Sequence, residues 1–131
     1  ALTRGELDPD KPALVRVQSL ELLRDIIGTR LNDRAGWSVG RALARIAAEG
    51  GALVLIGQER STESLLADIE AFPATAPIGP DRGGVPNYRI IGTGAQILQR
   101  LNIGQMRLMS SPLRFNALSG FNLEITEFVE P

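Results

Sequence analysis

The sequence predicts an α/β domain. Two stretches alternate apolar and polar residues, Leu14 to Ser19 and Leu123 to Val129, and a third, Ala52 to Ile56, is continuously apolar. These read as two half-buried strands and one interior strand. Stretches with helical spacing lie between them, and strands that alternate with helices build an α/β sheet. The 131 residues suit one domain, and a hydrophobic fraction of 44% is enough for a core.

Along the chain, Asp8 to Pro12 (DPDKP) is turn chemistry. In the strand Leu14 to Ser19, Leu14 and Arg16 share one face and Val15 and Val17 the other. Leu20 to Ala35 is rich in charge and fits no single pattern. Gly36 to Ala48 is the clearest helix, with Val39, Leu43, Ile46 and Ala47 on one face and Gly50-Gly51 as its stop. Ala52 to Ile56 is the interior strand. Thr62 to Phe72 reads as a second amphipathic helix. Pro73 to Pro86 holds four prolines and three glycines and is expected to be a mobile surface loop. Gly92 to Leu101 is expected to be helical with Ile97, Leu98 and Leu101 inward. Met106 to Met109 is a short strand, Pro112 to Leu118 one or two helical turns, and Leu123 to Val129 closes the sheet.

Composition narrows the chemistry. The chain has no cysteine and no histidine. That excludes disulfides, thiolate or imidazole metal sites, cysteine nucleophiles and triads with a histidine base. Carboxylate sites for Mg²⁺ or Ca²⁺ stay open, but the acidic residues of Leu20 to Asp33 show no regular ligand spacing, so a solvated segment is expected there. A formal net charge of −1 gives no reason to expect a nucleic-acid partner. No apolar stretch approaches a membrane span, and the first twelve residues lack the apolar core of a signal peptide, so a cytoplasmic protein is expected. Trp37, at the start of the first long helix, is expected in the core or an interface.

Several stretches, in order and spacing, resemble the GTP cyclohydrolase II family of riboflavin biosynthesis. The family's V-R-V-H-S-E-C strand is matched by Val15-Arg16-Val17-Gln18-Ser19-Leu20-Glu21, and its A-L-R-R-I-A-E-E-G-G helix end by Ala42 to Gly51 (ALARIAAEGG). Its Y-L-R-Q-E-G-R-G-I-G-L-L run is matched by Leu55 to Leu66 (LIGQERSTESLL), and its G-I-G-A-Q-I-L run by Gly92 to Leu98 (GTGAQIL). Met106 to Pro112 (MRLMSSP) corresponds to I-R-L-L-T-N-N-P, one residue shorter, and Leu118 to Glu127 to the closing strand. The resemblance implies a three-layer α/β domain with a mixed sheet flanked by helices.

The departures fall on the chemistry. The resemblance places Glu21 at the first of three zinc-binding cysteines, and either Asn32 and Arg34 or Asp33 and Ala35 at the other two. Neither pair suits zinc, so no cofactor is expected. The family's glycine-rich segment is Arg60 to Ser64 here, its proton-accepting aspartate is Asn87, and a tyrosine is replaced by Phe72. Arg89 stands for the family's nucleophilic arginine. Arg16, Ser19, Gln58, Glu59, Arg89, Ser110 and Arg114 form the expected remnant of the nucleotide pocket. Arg16, Arg89 and Arg114 are expected to converge, with Ser110 near them.

The family's usual N-terminal strands are missing from this stretch, so residues 1–131 are expected to be one domain of a longer bacterial chain. The resemblance implies a synthase partner in that chain, 3,4-dihydroxy-2-butanone 4-phosphate synthase. It also implies a role as a non-catalytic structural or regulatory module. The competing expectations are a sensor that weakly holds GTP or a phosphate metabolite, and an enzyme with altered, zinc-independent chemistry. A homodimer fits all three.

Overall fold

A computed structural model of the chain describes residues 1–20, 25, 37–57, 61–70, 88–110 and 119–131, with residues 68, 88, 89 and 119 described by backbone only. The strands are β1 (Leu2–Arg4), β2 (Ala13–Ser19), β3 (Gly51–Ile56), β4 (Gln105–Leu108) and β5 (Glu124–Phe128). The helices are α1 (Val39–Glu49), α2 (Thr62–Glu70) and α3 (Tyr88–Arg100), and a 3₁₀ turn spans Ser119–Phe121. One five-stranded sheet has the order β1-β3-β2-β4-β5. β2 pairs in parallel with β3 and β4, β4 in parallel with β5, and β1 antiparallel with β3, so the sheet is mixed.

Alternation along β2 and β3 sorts the core into two halves. Leu14 and Leu53 face α1, where Trp37, Ala42, Ile46, Met109 and Val129 cover them. Val15, Ala52 and Val54 face α3, under Ala95 and Leu98 and beside Met106, Leu108 and Leu123. Both faces of the sheet are therefore buried, which explains the continuous apolar run of β3.

Local chemistry sets the element ends. Asp8 Oδ1 accepts the Asp10 amide at 3.0 Å, and the Lys11 amide reaches the Asp8 carbonyl at 3.1 Å, so the DPDKP segment turns the chain into β2. Helix α1 starts three residues later than its sequence pattern suggests. The Ser38 side chain caps it by accepting the Arg41 amide at 3.3 Å, which leaves Trp37 outside the helix. Its inward face also differs from expectation: Ala42 and Ile46 are buried with Val39 packed beside them, whereas Leu43 is 37% exposed and Ala47 is exposed. The helix sits close to the sheet, and a small Ala42 permits that approach where a leucine would hold it off. Gly50 and Gly51 end it at φ values of 82° and 126°. A Cβ on Gly51 would lie 2.1 Å from the Leu14 carbonyl oxygen, so β2 and β3 can approach here only through glycine.

Helix α2 forms as expected but ends at Glu70, and its Leu66 and Ile69 are 52% and 45% exposed, so no apolar face is buried at those positions. Helix α3 begins at Tyr88, four residues before the expected start. Gly92 and Gly94 both fall inside it, and Gly94 serves packing: a Cβ there would sit 2.8 Å from Val17 Cγ1. In β5 the pairing register with β4 shifts between Met106 and Arg107, and the Thr126 hydroxyl donates to the Met106 carbonyl at 3.2 Å. The segments expected as a loop at 73–86 and as helical turns at 112–118 lie outside the described residues, except that the 3₁₀ turn follows directly at Ser119.

Candidate functional site

The chain runs from β2 to β3 over one face of the sheet and from β3 to β4 over the other, placing β2 between strands reached in opposite directions. In open α/β sheets such a switch point leaves a crevice at the carboxyl ends of the strands, where ligands bind. A cleft of about 120 Å³ lies there, between β2, β4 and the first half of α3. Its wall is apolar, formed among others by Val17, Ile90, Ile91, Leu98 and Leu108; its polar lining comes from Arg16 and Ser110.

Arg16 leaves β2 on the α1 side and is held by two bonds. Its Nε donates to Gln18 Oε1 at 3.0 Å and its Nη1 to the Met109 carbonyl at 2.6 Å. Gln18, 4% exposed, passes the row on by donating from Nε2 to Asp25 Oδ1 at 2.7 Å. Trp37 is buried nearby in the α1-side core, with its indole N–H on the Val129 carbonyl at 3.0 Å and the Arg41 guanidinium 5.7 Å from its ring centroid. It is a core residue.

Of the site residues expected from sequence, the structure brings Arg16 and Ser110 to the same cleft. Ser19 ends β2, half-buried and in register with Ile56, and does not line the cleft. Arg89 lies in the first turn of α3, next to the lining residues Ile90 and Ile91. Glu21, Gln58, Glu59, Asn87 and Arg114 lie outside the described residues. Sequence reasoning missed Gln18 and Asp25. The available signal was a polar residue two positions beyond Arg16 on a strand face otherwise buried, where an amide needs partners.

Comparison with known proteins decides the family. The family model described as GTP cyclohydrolase II matches residues 1–130. The chain belongs to the GTP cyclohydrolase II family. It is 38% identical over 130 residues to a 3,4-dihydroxy-2-butanone 4-phosphate synthase of Pseudomonas aeruginosa, covering 98% of this chain and 34% of that protein. It is 36% identical over 137 residues to the riboflavin biosynthesis protein RibBA of Cytophaga hutchinsonii, covering 98% of this chain and again 34% of the relative. Among solved structures it matches RibBX, a two-domain 3,4-dihydroxy-2-butanone 4-phosphate synthase from A. baumannii, with a TM-score of 0.58 and 33% identity over 96% of this chain and 30% of that one. The chain thus spans about a third of the length of these relatives.

Membership raises the question of the metal. The family's zinc would need soft donors, and this cyclohydrolase II-family chain contains neither cysteine nor histidine. Gln18, at the histidine position of the family's strand motif, has both ends of its amide engaged by protein groups. Among the described residues no three acidic side chains gather to hold an ion. The donor set does not fit zinc.

No helix among the described residues is long and apolar enough to cross a membrane.

Proposed function

We propose that this domain is a non-catalytic GTP cyclohydrolase II-like module of a riboflavin-biosynthesis protein. It is joined in one chain to 3,4-dihydroxy-2-butanone 4-phosphate synthase and contributes structure or regulation to it. The observation that carries this reading is Gln18: at the position of the family's histidine stands a buried, neutral amide, bonded to Arg16 on one side and Asp25 on the other. An amide so placed neither titrates nor binds a metal. The absence of any thiolate removes the Lewis acid that would generate hydroxide for attack on a purine. The part of the cleft built by the described residues encloses about 120 Å³, against roughly 300–1,000 Å³ for sites that bury a drug-sized ligand.

The test is formamide release from GTP by the full-length protein, with and without added zinc, and metal content measured on the same sample. The expected outcome is no turnover above an enzyme-free control and no stoichiometric zinc. Ring opening of GTP by the unmodified protein overturns the proposal.

A second reading is supported by the cleft itself. Ser110 offers a hydroxyl at its rim, with Arg89 on the adjoining helix turn, so a weakly held nucleotide or phosphate metabolite would make this a sensor.

A further inference from the structure

Gln18 is the one polar or charged residue among the described residues that is fully buried. A buried amide without partners costs about 1–3 kcal/mol, so its surroundings are informative. Its orientation is dictated by chemistry: a guanidinium only donates and a carboxylate only accepts, so Oε1 faces Arg16 and Nε2 faces Asp25. With the Arg16 bond to the Met109 carbonyl, a continuous row runs from the end of β4 across β2 to Asp25, beyond the end of that strand. The row has a cation at one end and a carboxylate at the other, so both bonds to the amide are charge-assisted and polarise it in the same sense.

We propose that Gln18 is a positioning residue, and that the Arg16–Gln18–Asp25 row is a metal-independent clasp. It fastens Asp25 to strand β2 and fixes the Arg16 guanidinium on the α1 side of the sheet, against the Met109 carbonyl. A bound metal commonly supplies folding free energy by tying distant ligands together. Here a fixed row of hydrogen bonds ties strand β2 to Asp25 without an ion.

Hydrogen exchange on the full chain, read by mass spectrometry at the peptide containing Asp25, tests the clasp. Gln18→Ala and Asp25→Ala should each speed exchange there about tenfold, equivalent to 1.4 kcal/mol, and the double variant should go no further. Asp25→Asn keeps an acceptor oxygen and should stay within roughly twofold of the unmodified chain. Gln18→Glu keeps the acceptor for Arg16 but sets a carboxylate against Asp25, so at neutral pH it should loosen the same peptide. A peptide over Ala95 to Ile103, in the α3-side core, serves as the control and should not change. A chelator should change none of these rates. Additive effects of the two alanine variants, unchanged exchange in Gln18→Glu, or loosening by chelator alone would each overturn the proposal. If Gln18→Ala fails to fold, Gln18→Glu and Asp25→Asn still decide it.

Discussion

The indole N–H of Trp37 donates to the backbone carbonyl of Val129 at 3.0 Å, joining a residue two positions before α1 to the residue that follows β5. Both residues are buried in the α1-side core, so the bond closes the sheet's far edge onto its first helix. Replacing Trp37 with Phe keeps most of the apolar contact but strands the carbonyl, and should cost about 1–3 kcal/mol. Trp37→Ala also opens a cavity and should cost about 3–5 kcal/mol. Urea unfolding followed by circular dichroism measures both, and equal losses for the two variants would contradict this account.

Two glycines near α1 should respond in opposite directions to the same change. Gly51→Ala forces a Cβ to 2.1 Å from the Leu14 carbonyl oxygen at a φ of 126°, and should destabilise by more than about 4 kcal/mol or abolish soluble expression. Gly40→Ala meets no atom within 4 Å and lies inside the helix, so it should stabilise by about 0.5–1 kcal/mol. Soluble yield and unfolding midpoints of the two variants provide the comparison.

Gly94 controls the width of the cleft. Alanine there would press on Val17 Cγ1 from 2.8 Å and push α3 away from β2, at a typical overpacking cost of about 1–3 kcal/mol. Val17→Ala removes the opposing methyls, so the double variant should recover part of the lost stability. Melting temperatures of the two single variants and the double variant show whether the pair is coupled.

Acid should weaken the fold through surface carboxylates. Hydrogen bonds from Arg107 and then Arg45 hold the Glu49 carboxyl below its ordinary value, and the Lys11 side chain and Asp10 amide do the same for Asp8. A carboxyl whose pKa is depressed on folding contributes stability above its unfolded pKa and loses it as pH falls through the folded one. The contribution should therefore be complete above about pH 5 and fade below about pH 4. Glu49→Gln should flatten the fall in urea midpoint between those values; an unchanged slope would mean the Arg107 pairings are not felt.

If the cleft keeps any nucleotide, calorimetry of GTP should return a dissociation constant between tens of micromolar and millimolar, about −6 to −4 kcal/mol. Arg89→Ala should weaken it roughly tenfold, the scale of one charged hydrogen bond. Binding untouched by that change would remove Arg89 from the site.

Much of this architecture was legible in the residues. Alternation in β2 placed Leu14 and Arg16 opposite Val15 and Val17, and the apolar run of β3 signalled a strand covered on both faces. The inward face of α1 was not legible, because hydropathy favours Leu43 whereas close packing on the sheet favours Ala42. The role of Gly94 was not legible either, since a glycine needed for a close contact looks the same in sequence as one that is not. At the site, Arg16 and Ser110 could be named from the family's pattern. The engagement of Gln18 could not, because it depends on where the chain returns at Asp25 and on a carbonyl of Met109, 93 residues away from Arg16.

The strand order also dictates a timetable for synthesis. β2, at the centre of the sheet, is made before either of its partners: β3 follows only after α1, and β4 comes later still, with Leu108 standing 93 positions after its partner Val15. β5 and the Val129 carbonyl come later still. A nascent chain that has exposed everything up to α3 would carry a two-sided apolar strand with one flank uncovered, a species prone to pairing with its neighbours. Slow folding is expected of such distant parallel pairings. The domain should therefore reach its native state only after translation has passed Val129.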